Sequence, residues 1–422
     1  MRLLTYFFLV SLSSTNANCQ FIQTINGIIS NEIGEPLPYA NILITPSGLR
    51  NVSNADGNFS TRVDSLTDTI TVSYIGYHSY SIVASNFLNL NKGKILLKEG
   101  TKQLNEVDVK EMKLSPVDIL KEALAKIPLN YPASSLMLEG FYREKSKVKT
   151  NSFAKDGIEK KLGNGYKVSE AIFEIYQPGY SGKESKQNVL LELVKSRRVD
   201  VKKNDDSNVD TLVSNSMATF PSKSNPYTPF EYDLRRAGEL DILDSFEEYD
   251  YTQSFAGMLD NRPILRIDFD QKDKINRCLY KGYALLDANS LAFVEINYRY
   301  SKKKIEKAFS MHLLGIGMTV LDKNVNIKFR SDGDRWVLNY AKIDYSFKLD
   351  IDRKMKGKKV DASFEINQSS EMLITKVESR AGIPISGDKL FGRRDKLDKN
   401  ISDNYDPDFW RDYSVLLIEK ND

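Results

Sequence analysis

Short apolar runs separated by turn residues constrain the fold of this chain more than any other sequence feature. The runs are four to six residues long, and Gly, Pro, Asn or Asp follows each of them. The runs are Gly27–Ser30, Ala40–Thr45, Ile70–Tyr74 and Lys94–Leu97, and the turn signals are Glu32–Pro36, Pro46–Gly48, Ala55–Gly57 and Ile75–Gly76. Runs of this length at this spacing predict an antiparallel β-sandwich of about eighty residues.

Three motifs in this segment carry a family resemblance. They are GEPLPYANI, which begins at Gly34, the turn NADGNF, which begins at Asn54, and TVSYIGY, which ends at Tyr77. Gly57 can take the positive φ of a tight turn, and Gly76 would break a strand or mark a bulge. Together the motifs resemble the carboxypeptidase regulatory-like domain over about residues 22–100. The resemblance implies a non-catalytic, transthyretin-like β-sandwich in an exported cell-envelope protein of Bacteroidota.

The N-terminus has the pattern of a secretory signal peptide. Arg2 supplies the positive charge, and Leu3–Leu12 is an apolar run. A run of this length is too short to span a bilayer, which needs about 20 helical residues. Cleavage can follow Ala17 or Cys19, and a lipid anchor on Cys19 is the less favoured alternative because Asn18 precedes it. We therefore predict an exported protein of the periplasm or the outer membrane.

The predicted organisation has four parts. They are a signal peptide at 1–19, the β-sandwich at 20–100, a linker at 101–114 and a β-rich domain at 115–422. The last part begins with a predicted helix, Ser115–Ile127, because Ser115 can cap it and Pro116 suits its first position. Val117, Leu120, Leu124 and Ile127 recur on one face of this helix. That face predicts a helix that covers a sheet.

The remaining chain alternates apolar and polar residues with period two. The clearest cases are Leu265, Ile267 and Phe269, then Ala292, Val294, Ile296 and Tyr298, then Val360, Ala362, Phe364 and Ile366. Such alternation predicts antiparallel strands with one solvated face. Residues 283–298 read as a hairpin, and a switch of apolar parity within Arg335–Phe347 predicts a bulge that curves the sheet. The predicted fold is mainly β: a sandwich followed by a larger, curved antiparallel sheet with a few covering helices.

Two further segments have predicted structures. Lys195–Met217 is polar and mixed in charge, which predicts a loop that leaves the sheet, and Trp410–Ile418 is predicted as the final strand. The segments Gly140–Arg143 and Asp408–Trp410 resemble a C-terminal region that often accompanies the carboxypeptidase regulatory-like domain in Bacteroidota envelope proteins. No activity is assigned to that region, so this resemblance adds architecture and no chemistry.

Composition and spacing argue against most enzyme classes. The 60 basic and 57 acidic residues leave a net charge of +3, so no overall field favours nucleic acid. Only two His are present, and they lie far apart without zinc-site spacing. Two Cys, Cys19 and Cys278, make no disulfide framework. The sequence also lacks a G-x-S-x-G elbow and a phosphate-binding glycine loop. We therefore predict no catalytic residues, no cofactor and no metal site.

The favoured interpretation is a non-enzymatic binding or adaptor protein of the cell envelope. Its partner would be an outer-membrane or periplasmic protein, or its ligand a glycan, a peptide or a lipid. Tyr142, Arg143, Tyr298 and Trp410 are the candidate ligand-binding residues. One alternative is a glycan-binding or glycan-cleaving protein. The other is a periplasmic carrier of a lipid or lipoprotein, whose half-barrel the long alternating strands resemble at the level of fold.

Overall fold

A computed structural model describes residues 23–90, 93–100, 114–159, 164–202, 225–355, 357–381, 384–387, 390–401, 406–413 and 416–417. The predicted signal peptide and cleavage sites lie outside these residues. Of the predicted linker, only Leu114 is described.

Residues 23–100, hereafter the module, form two small sheets packed face to face. The strands are β1 (Gln23–Asn31), β2 (Asn41–Thr45), β3 (Leu49–Val52), β4 (Asn58–Val63), β5 (Thr69–Ser73), β6 (Tyr80–Val83) and β7 (Lys94–Leu97), with helix α1 at Ala84–Leu88. Their orders are β4-β1-β7 and β3-β2-β5-β6. The predicted sandwich is confirmed, with Ile29, Ile42 and Phe59 fully buried between the sheets. One pairing differs, because β1 and β7 run parallel.

The second part is one large antiparallel sheet. Its strands are β8 (Leu136–Lys155), β9 (Ile158–Glu159), β10 (Gly165–Gln177), β11 (Leu190–Lys202), β12 (Tyr249–Leu259), β13 (Arg262–Gln271), β14 (Tyr280–Asp287), β15 (Phe293–Tyr300), β16 (Ser310–Leu313), β17 (Ile316–Asp332), β18 (Arg335–Met355) and β19 (Lys358–Ala381). The order is β11-β10-β8-β19-β18-β17-β15-β14-β13-β12, while β9 pairs with β8 and β16 with β17. The predicted hairpin is β14 and β15.

The helix predicted at the start of this part is present as α2 (Pro116–Ala125), followed by α3 (Ile127–Asn130). Ser115 Oγ accepts a hydrogen bond from the Asp118 backbone N–H at 3.1 Å, which satisfies one of the free donors of the first turn. The buried side of α2 carries Ile119, Leu120 and Ala123. Of the predicted face, Leu120 and Ile127 are buried, whereas Val117 and Leu124 are only partly buried, so the buried side is rotated toward Ile119 and Ala123.

Helices fill one face of the large sheet, hereafter the covered face. The short elements on it include α2, α3, the 3-10 helices Thr228–Tyr232 and Leu234–Glu239, and α4 (Asp241–Asp244). Their side chains form a single hydrophobic core with strand residues such as Ile267, Ile296 and Phe329. Tyr131 lies at its centre, where its hydroxyl donates to the Phe293 carbonyl at 2.8 Å.

The parity switch in β18 is a bulge at Asn339. Lys328 pairs with Tyr340 and Phe329 with Leu338, so Asn339 is the extra residue. Leu338 and Ala341 belong to the core of the covered face, whereas Tyr340 packs on the opposite face. The bulge lies within the predicted range Arg335–Phe347, and it turns Tyr340 toward the module.

The module packs on the opposite face of the large sheet and on its edge strand β12. Arg50 pairs with Asp332 at 2.6 Å, and Val52 shares a hydrophobic cluster with Tyr340. At the edge, the Gly76 N–H donates to the Met258 carbonyl at 2.9 Å. These contacts make the two parts of the chain adjacent along a continuous interface.

Two predicted segments need correction. The predicted final strand at Trp410–Ile418 is wrong where it is described, because Pro407–Asp412 is helix α5. Asp406 caps this helix by accepting from the Phe409 N–H at 3.0 Å, and Pro407 occupies a first-turn position that needs no donor. The predicted loop at Lys195–Met217 is wrong at its start, since the chain continues in β11 to Lys202. Residues 203–217 lie outside the described part.

Candidate functional site

A cavity of about 450 Å³ lies between the module and the large sheet, hereafter the interdomain cavity. The module supplies Pro38, Tyr39, Asn41, Tyr74 and Ile75, and the sheet supplies Ala256, Leu259, Arg266, Tyr283, Leu285, Val294, Glu295, Asn297, Asn326, Lys328 and Phe329. Its volume is that of a typical small-molecule site. Apolar and hydrogen-bonding side chains share its walls.

The strand register brings the polar residues of this cavity together. Tyr283 on β14 faces Asn297 on β15, and Asn297 in turn faces Asn326 on β17. Glu295 is opposite Lys328 in the same ladder. Residues two apart on a strand point to one face, so these side chains project on the side away from the covered face.

Glu295 is the centre of a hydrogen-bonded network. Its Oε1 accepts from the Tyr283 hydroxyl at 2.9 Å and from Asn326 Nδ2 at 2.7 Å. Its Oε2 lies 3.3 Å from Lys328 Nζ, and both side chains of this ion pair are almost buried. A carboxylate with three such donors is held in one geometry. Asn326 keeps a buried Oδ1 without a hydrogen-bond partner among the described residues.

Arg266 forms the second charged group of the cavity. Its guanidinium binds Asp268 through Nε at 2.8 Å and Nη2 at 2.7 Å. The guanidinium carbon also lies 4.0 Å from the centre of the Tyr283 ring, a cation–π contact. Burial, and then the nearby Glu295 carboxylate, raise the pKa of Tyr283 above its usual range. The same two causes raise the pKa of Tyr74. Both phenols are therefore protonated at neutral pH and can donate hydrogen bonds.

Tyr39 closes the cavity from the module side. It has a φ of 57°, a left-handed conformation that is uncommon for a residue other than glycine. Its ring stacks on Tyr340 with 5.4 Å between centroids and 28° between planes. Lys342 Nζ donates to the Tyr39 hydroxyl at 3.3 Å, and Lys328 Nζ lies 5.6 Å from the ring centre. The Asn339 bulge makes this stack possible because it places Tyr340 on the module's side of the sheet.

The four candidate residues predicted from the sequence are all buried. Tyr142 and Tyr298 belong to the core of the covered face, whereas Arg143 and Trp410 lie on the opposite side of the sheet. Tyr142 and Arg143 are adjacent on one strand and therefore point to opposite faces. The structure does not bring these four residues together, and none of them lines the interdomain cavity. Their role in ligand binding stays a prediction.

Arg143 and Trp410 are linked through a buried ionic cluster. Arg143 Nη2 lies 2.6 Å from Glu170 Oε1, and Arg197 Nη2 lies 2.6 Å from Glu170 Oε2. The Arg197 guanidinium carbon sits 4.2 Å from the centre of the Trp410 ring. Arg143 also donates to the backbone carbonyls of Leu416 and Leu417. The cluster fastens the C-terminal segment to the sheet, which is a structural role.

The histidines and the cysteine of the described part of the chain lie in different elements of the fold. Within the described ranges, no three His, Cys, Asp or Glu side chains group as metal ligands do. Burial, together with Glu306 and Asp322, raises the pKa of Cys278 to about 11, so its thiol is protonated at neutral pH. His78 and His312 are both exposed and lie in different parts of the chain. None of the described helices has the length and apolarity that crossing a bilayer requires.

Sequence reasoning missed the interdomain cavity, although part of its signal was visible. Polar and apolar residues alternate along β13, which already placed Arg266 and Asp268 on the side of the strand opposite its apolar residues. The sequence pattern treats this polar face as solvated. It contains no signal that the module covers the face, because such docking depends on contacts between residues more than 200 positions apart, such as Arg50 and Asp332.

Comparisons with known proteins identify the module. Residues 25–109 match the family model of the CarboxypepD_reg-like domain. A search of curated proteins found no significant match. Among solved structures, a DUF1329 family protein from Desulfovibrio piger aligns at 10% identity and a TM-score of 0.21, over 64% of this chain and 96% of that one.

Two further solved structures align at similar levels. Lipovitellin aligns at 8% identity and a TM-score of 0.22, over 58% of this chain and 26% of its own. A protein of unknown function from Bacteroides fragilis aligns at 9% identity and a TM-score of 0.13, over 84% of this chain and 98% of its own. Likenesses this low carry no argument about function. The identification therefore rests on the module alone: the N-terminal β-sandwich of this chain is a CarboxypepD_reg-like domain.

Proposed function

We propose that this chain is a non-enzymatic binding protein of the cell envelope and that its ligand binds in the interdomain cavity. The observation that carries the proposal is the Glu295 network, in which Tyr283, Asn326 and Lys328 converge on one carboxylate at the cavity wall. A concave, half-apolar site with a few fixed polar groups is typical of small-ligand binding. The envelope location rests on the signal-peptide pattern and on the module.

The charges in the cavity favour a neutral ligand rich in hydroxyl groups, such as a short glycan. Lys328 is paired with Glu295 and Arg266 with Asp268, so neither cation lacks a counter-charge. The Tyr74 hydroxyl can donate a hydrogen bond, Asn326 Oδ1 can accept one, and the ring of Tyr39 offers an aromatic face. These are the groups that a sugar can use without bringing a charge of its own.

The lipid-carrier alternative receives no support from the covered face. An acyl chain would need an open apolar surface there. The described part of that face is instead packed with the chain's own Tyr131, Phe293 and Phe329 against the covering helices. An adaptor role with a protein partner stays a prediction from the sequence.

Direct titration of the mature chain with a panel of neutral mono- and disaccharides tests the proposal. Isothermal calorimetry should detect saturable binding of at least one saccharide. Ile75→Phe, which enlarges a side chain on the cavity wall, should weaken that binding about tenfold or more, since it narrows the space that the ligand occupies. Ile33→Phe is the matched control, because Ile33 is 80% exposed on the same module. Absence of binding across the panel, or equal affinity of both variants, would overturn the cavity as a glycan site.

A further inference from the structure

A groove of about 450 Å³, hereafter the outer groove, continues the interdomain cavity along the large sheet. Arg266, Tyr283 and Asn297 line both spaces, so the cavity and the groove meet at these three residues. Module residues such as Tyr39 and Tyr74 line the cavity, whereas the described lining of the groove includes no residue of the module. The outer groove is therefore the part of the site that extends beyond the module.

Strand register explains why the two spaces are continuous. Glu295, Asn297 and Arg299 alternate along β15 and point to one face of the sheet, Glu295 in the cavity and Arg299 in the groove. Tyr283 and Lys281 lie opposite Asn297 and Arg299 on β14. The four residues from Glu295 to Arg299 correspond to about 13 Å of extended strand. A ligand that contacts both ends of this stripe must therefore be longer than a single small ring.

The charges of the outer groove are balanced. Its lining contains three aspartates and three basic residues, and most of these charges are paired. The ion pairs that involve the lining are Arg266–Asp268, Asp270–Lys303 and Arg299–Asp322. The two lining charges outside these pairs, Asp250 and Lys281, have opposite signs. A groove without net charge gives a polyanion such as nucleic acid no electrostatic advantage, which favours a neutral ligand here as in the cavity.

The lining suits hydroxyl groups better than apolar side chains. Among the described residues that line the groove, only Phe269 and Gly282 lack a polar side chain, so an apolar peptide would find little to pack against. Thr252 and Lys281 are exposed there, and together with Asn297 they offer both donors and acceptors. We propose that the ligand of the interdomain cavity is a neutral oligosaccharide, with one end in the cavity and its further units along the outer groove. This inference rests on the proposed function and specifies the length of its ligand.

The test is calorimetry of the full mature chain with two series of neutral probes, malto- and cello-oligosaccharides of two and four units. In at least one series, the tetrasaccharide should bind about tenfold more tightly than the disaccharide, because its further units form hydrogen bonds in the groove. Lys281→Ala should weaken tetrasaccharide binding about fivefold through the loss of one such bond, and disaccharide binding much less. Lys274→Ala, exposed and outside both linings, is the matched control and should bind both lengths like the parent.

Several outcomes would overturn this inference, and they differ from those that overturn the proposed function. Equal affinity for the two lengths, or equal effects of Lys281→Ala and Lys274→Ala, would show that the groove takes no part, while disaccharide binding would still support the cavity. Absence of binding by both series would also overturn the inference, and the proposed function would then stand only if another saccharide of the panel bound. The neutral tetrapeptide Ser-Gly-Ser-Gly is a further probe, and its binding as tightly as the tetrasaccharide would assign the groove to a peptide. Ile75→Phe, on the cavity wall, should weaken the binding of both lengths.

Discussion

Gly76 of the module and Gly257 of β12 approach each other so closely that a Cβ on Gly257 would lie 2.7 Å from the Gly76 Cα. Both residues have positive φ, 85° and 108°. The Gly76 N–H donates to the Met258 carbonyl, and Ser79 Oγ donates to Asp260 Oδ1 at 2.7 Å. The module therefore shields the edge of β12, an exposed edge being a site where sheets pair with other chains.

Gly257→Ala should destabilise the protein through this contact. Gly333→Ala provides the matched control, because Gly333 also has a positive φ, of 61°, but a Cβ there meets nothing within 4 Å. The control should lose about 1 kcal/mol from backbone strain. Gly257→Ala should lower the free energy of unfolding by about 1–3 kcal/mol more than the control does, because the two backbones must move apart. Urea unfolding measures both, and equal losses would contradict the close approach.

Arg143→Met should be among the most destabilising single substitutions on the sheet. It leaves Glu170 and Glu371 buried with one cation fewer, and loss of one partner of a buried ion pair costs about 3–5 kcal/mol. Arg198→Met, at an exposed position on β11, should change the free energy of unfolding by less than about 0.5 kcal/mol. Chemical unfolding of the two variants compares them. A similar small effect for both would show that the cluster adds little to stability.

Stability should fall steeply in acid because of Glu371. Burial alone would raise the pKa of this carboxyl, but Lys342, Lys145 and Arg143 outweigh burial and lower the pKa to about 2. A carboxyl whose pKa is lower when folded stabilises the protein above its unfolded pKa, near 4.5, and that contribution is lost as the pH falls toward 2. The loss should be about 3 kcal/mol across this window.

Glu371→Gln isolates that contribution from other carboxyls. Burial raises the pKa of Asp233 and Asp344, so their protonation changes stability in the opposite sense. Both groups are present in the parent and in Glu371→Gln, so the difference between the two curves reports Glu371. Unfolding free energies measured from pH 6 down to pH 2.5 should show a shallower slope for the variant. Identical slopes would assign the acid sensitivity to other groups.

Cys278 should react slowly with alkylating reagents. Its thiol is half-buried, and burial raises its pKa to about 11, compared with the usual 9.0. The thiolate is the reactive form, so the rate should rise about tenfold per pH unit up to pH 10. A Cys19→Ser variant leaves this as the sole thiol, and its reaction with iodoacetamide can be followed by mass spectrometry. A plateau in the rate near pH 9 would contradict the raised pKa.

Much of the fold follows from local pattern. The turn at Asn54–Gly57, the Ser115 cap and the hairpin of β14 and β15 are each specified by residues close in sequence. A bulge in β18 was also predictable, because a switch of apolar parity has few other causes. The prediction failed at Trp410, where an Asp cap and a Pro at the first helical turn outweighed the β-favouring aromatic residues that follow.

The sequence by itself determined the two-part architecture, the module's family resemblance and the absence of a recognisable catalytic spacing. Only the tertiary structure decided which polar face the module covers, and hence that Tyr39, Glu295 and Lys328 meet at one cavity. It also placed Arg235 and Arg393 in the lining of one pocket, although more than 150 residues separate them in the chain. The physical reason is the same in both cases. Turns, caps and alternation are local properties of the chain, whereas docking and convergence of charges depend on the register of strands that are distant in sequence.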